Sequence, residues 1–112
     1  MKRNAPLWCA LALFGAPAHS FTPSSAGLVN GTGGPLRSVE IRNTPGGSWK
    51  DGPTIAQDGA KSAWAFDDSD CAYDIRVTTA SGDTIMFKGI NPCGAQTLTL
   101  RRNAAVGWVD YD

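Results

Sequence analysis

Two cysteines bracket the stretch CAYDIRVTTASGDTIMFKGINPC, from Cys71 to Cys93, and between them the chain has few ways to fold. Residues 72–80 and 84–91 carry apolar side chains at every second position, the period of a strand with one buried face. Ser81-Gly82-Asp83 between them supplies residues that tolerate left-handed backbone angles, so a hairpin is expected. Pairing Ala80 with Thr84 carries the register through Val77–Phe87, Ile75–Gly89 and Tyr73–Asn91 to Cys71–Cys93. The turn and the disulfide then form one expectation. Tyr73, Ile75, Val77, Ile85 and Phe87 share the buried face, and Asp74 shares the other with Arg76 and Lys88, its expected partners. The spacing is not CxxC and no histidine lies nearby, so a metal or redox pair is disfavoured. Closing a loop of about twenty residues contributes about 3 kcal/mol, a large share of the stability of a small domain.

That disulfide needs an oxidising compartment, and the N-terminus supplies the route. Lys2 and Arg3 precede an apolar run from Leu7 to Phe14, followed by small residues, which is the pattern of a secretory signal peptide over residues 1–20. Cleavage after Ala18 or after Ser20 satisfies the small-residue rule. Cys9 would leave with the peptide, and an even pair of cysteines would remain. The apolar run is too short for a membrane span, and no later stretch approaches about twenty apolar residues. The expected address is periplasmic or secreted. Of ten basic and ten acidic residues, removal of Lys2 and Arg3 leaves eight against ten. A mildly acidic domain without a basic patch is a poor nucleic-acid binder.

The remainder, residues 21–112, reads as a single domain of short strands. Leu28-Val29 ends in the turn-rich Asn30-Gly31-Thr32-Gly33-Gly34-Pro35, and Val39 and Ile41 alternate with polar residues up to Asn43. Thr44–Pro53 surrounds Trp49 with glycine and proline and reads as a surface loop. Ile55 is expected to point inward, Asp58-Gly59 to turn, and Trp64 and Phe66 to share a buried face. Leu98 and Leu100 alternate with threonines, and the tail holds Val106, Trp108 and Tyr111. The expectation is all-β: a small Ig-like antiparallel β-sandwich of about six to seven strands with one disulfide.

Around Cys71-Ala72-Tyr73-Asp74-Ile75-Arg76-Val77 the chain resembles a family of small secreted bacterial proteins without an assigned activity. Leu28-Val29-Asn30, Trp49, Gly59, Gly82-Asp83 and Cys93 extend the resemblance over most of residues 21–112. Two departures are that Gly82-Asp83 reverses the family's usual Asp-Gly and that Lys50 stands where a glycine is usual. The resemblance implies a fold and a compartment and brings no catalytic residues.

The chemistry-bearing residues are few. His19 is the only histidine, so neither a Ser-His-Asp nor a Cys-His arrangement can be assembled, and no catalytic residue is assigned. The acidic run Asp67, Asp68, Asp70 with Asp74 offers oxygen ligands, but its spacing departs from the calcium-loop pattern, and a solvated turn explains it. No cofactor and no metal is expected. Asn30-Gly31-Thr32 matches a glycosylation sequon and reads more simply as a turn. Recognition remains: Trp49 with Lys50, and Trp108 with Tyr111, lie outside the clearest core strands, where aromatics either anchor a partner or cap the core. The expected function is non-catalytic binding of a protein or cell-envelope component. The alternatives are a hydrolase inhibitor that inserts the Trp49 loop, and a metal-binding protein or small enzyme that uses the acidic run.

Overall fold

A computed structural model describes residues 23–112. The expected signal peptide at 1–20, with Cys9 and His19, lies outside the described residues. Eight strands follow in the described chain: β1 (Pro23–Asn30), β2 (Leu36–Asn43), β3 (Lys50–Asp51), β4 (Lys61–Asp67), β5 (Tyr73–Thr79), β6 (Thr84–Ile90), β7 (Thr97–Asn103) and β8 (Val106–Tyr111). They make one sheet in the order β3-β2-β5-β6-β8-β7-β1-β4. Neighbours are antiparallel except β1 with β7 and β6 with β8, which run parallel.

The all-β expectation and the Cys71–Cys93 disulfide are both present, but in place of a sandwich of six to seven strands the described residues form one curled sheet of eight, with the short β3 inside the segment expected to be a loop. The alternation of side chains explains the curl. Leu28, Ile75, Val77, Ile85, Phe87, Leu98 and Leu100 all point to one face, and all are fully buried. A sheet with a single apolar face this wide covers it with itself where, as among the described residues, no helix packs on it. Trp64 on β4, at one end of the sheet, meets Tyr73 on β5 edge-on with ring centroids 5.1 Å apart. Ile55, from the segment between β3 and β4, fills the same core.

The Cys71–Cys93 hairpin is where the structure corrects the expected register. Thr78 pairs with Thr84, Val77 with Ile85 and Ile75 with Phe87, two residues away from the expected alignment. Thr79 is the reason. Its backbone N–H donates to the Asp83 carbonyl at 2.8 Å, and its Oγ1 accepts the Asp83 N–H at 3.0 Å, so the loop closes around Thr79 rather than between Ala80 and Thr84. Left uncorrected, that shift would miss the disulfide. A bulge at Lys88-Gly89 takes up one residue, with Gly89 at φ +67°, so that Tyr73 faces Ile90. The segment through Pro92 takes up another, and the cysteine Cα atoms come to 5.6 Å. The bulge also turns Ile90, which simple alternation would put outside, onto the core face.

Asn30 is the second organising residue. It is fully buried, and its amide donates to the carbonyls of Gly34, Ile55 and Gln57 at 3.0, 3.2 and 3.0 Å. Its Oδ1 accepts the N–H and the hydroxyl of Thr32. Three segments that share no ladder are thereby tied at one point. A glycan would replace one hydrogen of this fully buried, bonded nitrogen and displace its carbonyl partners, so the folded structure supports reading the sequon match as a structural turn.

Candidate functional site

Trp49 immediately precedes, and Lys50 begins, the short strand β3, which returns along the edge of β2. Lys50 stands opposite Ile41, so alternation sends Trp49 to the outer face, above Arg42. On that face the register sets Glu40 opposite Arg76 and Arg42 opposite Asp74. Each arginine places Nε and Nη2 on a single carboxylate oxygen, at 3.1 and 3.0 Å for Arg42–Asp74 and at 2.9 and 2.8 Å for Arg76–Glu40. The Trp49 ring covers both guanidinium carbons, at 4.4 and 4.2 Å from its centroid. Trp49 is therefore half-buried as the lid of two crossed ion pairs, held by packing and cation–π attraction. Asp74 differs from expectation: its partners are Arg42 and, through the other oxygen, the Gly89 N–H, rather than Arg76 or Lys88.

Trp108 and Tyr111 have a different surrounding. Both lie on β8, where Gly107 and Val109 turn inward and Val106, Trp108 and Asp110 turn outward. Gly107 is required there, since a Cβ at this position would stand 2.6 Å from a ring carbon of Phe87 and 2.8 Å from Ile85. Val106, Trp108 and Tyr111 are the exposed large apolar residues among those described, at 67, 45 and 50 %. Met86 of β6 pairs with Val106, Arg101 of β7 lies opposite Trp108, and Arg101 bonds Asp110 at 3.0 Å. The Tyr111 hydroxyl accepts the Asn91 N–H at 3.1 Å, which holds the ring at the end of the strand.

A third feature was not evident from sequence. The two ends of the curled sheet, β3 and β4, do not pair with each other, and a cleft of about 650 Å³ opens between them. Its floor is Ile41, Trp64, Phe66 and Tyr73, all core residues that keep 5 to 8 % exposure. Its rim carries Asn43, Lys50, Asp51, Asp67 and Asp70. Burial pushes the Tyr73 phenol above its ordinary value. Asp70 and Asp67 add to this with their charge, and the Asn43 side chain and the Asp67 backbone partly offset it by hydrogen bonding. Asn43 in turn donates to Asp70 at 2.6 Å.

The acidic run does not converge. Asp67 accepts the Ser69 N–H and hydroxyl, Asp70 is bound to Asn43, and Asp74 is paired with Arg42. Among the described residues, Asp68, Cys71 and Cys93 are the group whose ligand atoms lie within 4.8 Å of one another, and two of the three are consumed by the disulfide. The chain matches no protein-family model, no curated protein and no solved structure at a significant level.

Proposed function

We propose that this chain is a non-catalytic recognition domain, exported to the periplasm or beyond, that binds a protein or cell-envelope component through the outer face of β8. The observation that carries this reading is the pair of exposed large apolar side chains, Val106 and Trp108, on the outer face of β8, with Tyr111, which has the opposite parity, exposed at the end of the same strand. Aromatics with an apolar body and a polar atom at the edge are the common anchors of such surfaces. The disulfide and the N-terminal pattern of residues 1–20 support export, and the family resemblance is of the same kind. The hydrolase-inhibitor alternative relied on Trp49 as an inserting side chain. With Trp49 laid over Arg42 and Arg76, that alternative loses its anchor.

The test uses the oxidised protein, immobilised and exposed separately to a periplasmic extract and to isolated envelope fragments. A component retained by the wild type and lost at least tenfold by Val106→Ser with Trp108→Ala, at an unchanged unfolding midpoint, supports the reading. Retention unaffected by that change, or no retention at all, refutes it. The N-terminal residue of exported protein should be His19 or Phe21.

A further inference from the structure

The β4 edge inside the cleft presents main-chain groups as well as side chains. The Asn30 backbone N–H donates to the Ala60 carbonyl at 2.9 Å, whereas the Gly27 N–H points away from β4, to the Gln96 carbonyl at 2.8 Å, and together these set the phase of the β1–β4 ladder. The β1–β4 register continues unbroken from there, so the bonded pairs are Leu28 with Ser62, Ala26 with Trp64 and Ser24 with Phe66. Ala63 and Ala65 consequently aim their N–H and C=O groups away from β1, into the cleft, and among the described residues neither pairs with a second strand. Natural edges are commonly blunted by proline, a bulge or a central charge. Between Lys61 and Asp67, β4 has none of these. The opposite wall is blunted, because Pro53 lacks a donor.

We propose that this cleft takes an extended, basic segment of a partner polypeptide as an added strand along β4. Four main-chain groups, from Ala63 and Ala65, bond the segment. Alternate side chains drop onto Trp64, Phe66, Tyr73 and Ile41, and the intervening ones point outward. The charge of the rim sets the preference. Asp51, Asp67 and Asp70 stand there with Lys50 as counterweight, and Arg42 is already paired with Asp74, so the mouth is net acidic. This proposal is independent of the β8 surface.

The probe is a terminally blocked six-residue peptide alternating valine and lysine, titrated into the oxidised protein. Binding is followed by tryptophan fluorescence and by the amide resonances of Ala63 and Ala65. Three results are expected: saturable binding, slowed hydrogen exchange at those two amides, and at least tenfold weaker binding when the peptide is N-methylated along one edge. Replacing lysine by glutamate should weaken binding at least tenfold at low salt, with the gap narrowing as salt is added. Ala65→Pro removes one outward donor at an edge position that tolerates proline, and should weaken binding by a similar factor. The hydrogen-exchange readout on the wild type serves if that variant fails to fold. Absence of binding at millimolar peptide, indifference to N-methylation, equal affinity for the glutamate peptide, or unchanged exchange at Ala63 and Ala65 would each overturn the proposal. So would concentration-dependent dimerisation that protects the same two amides.

Discussion

Replacing Asn30 by alanine should be among the most damaging single changes in this domain. The side chain shares two amide hydrogens among the carbonyls of Gly34, Ile55 and Gln57 and accepts two bonds from Thr32. Each such bond contributes about 1 kcal/mol net, and a carbonyl left buried without a donor costs about 1–3 kcal/mol more. Water can reach the half-buried acceptors at Gly34 and Gln57 more easily than Ile55, so a total of about 4 kcal/mol is reasonable. A domain of this size has about 5–13 kcal/mol in all. With a urea slope of about 1 kcal/mol per molar, the midpoint should fall by roughly 3–4 M, and the melting temperature by about 15–30 °C. Urea unfolding followed by tryptophan fluorescence and by far-ultraviolet circular dichroism gives the number directly. Asn30→Asp refines the test. It keeps the acceptor for Thr32 but sets a second oxygen against three carbonyls, so the carboxyl is expected to hold its proton more tightly in the folded state than in the unfolded one. The stability of that variant should therefore be greatest below about pH 4, the unfolded value, and decline as pH rises through the folded one. A loss below about 1 kcal/mol for Asn30→Ala, or an Asn30→Asp variant that is no weaker at pH 7 than at pH 4, would refute the hub argument.

Three further outcomes are expected. Gly107→Ala should cost about 1–3 kcal/mol by overpacking against Phe87 and Ile85, read as a lower urea midpoint with an unchanged slope. Trp49→Ala should cost about 1–2 kcal/mol through the lost cover over Arg42 and Arg76 and leave retention of any β8 partner unchanged, a split that separates a structural lid from a binding anchor. Burial raises the Tyr73 phenol in the folded state, so its stabilising contribution is whole below about pH 10 and is lost as pH climbs from there through the folded value. Urea midpoints between pH 8 and 11 should fall less steeply for Tyr73→Phe than for the wild type.

Much of the fold was legible because strand alternation is a local signal. Trp64, Phe66, Tyr73, Ile75, Val77, Ile85 and Phe87 occupy the core face that their spacing indicates. The disulfide was legible too, although for a partly mistaken reason. The expected straight register is not the one present, and Thr79 and the bulge at Gly89 arrive at the same pair of cysteines by another path. A side chain that hydrogen-bonds within a turn competes with the ladder, and composition does not reveal which prevails.

By itself, the sequence determined most of the strand pattern, the pairing of Cys71 with Cys93 and the character of the turns, because each depends on residues close together in the chain or joined by one hairpin. Tertiary structure alone decided that Trp49 covers two ion pairs while Trp108 stays exposed, and that Asp74 pairs across to Arg42. It also decided that β3 and β4 face each other over an open cleft. Those outcomes depend on which strands become neighbours, and that order follows from burying one wide apolar face against itself, a global condition that no local stretch encodes.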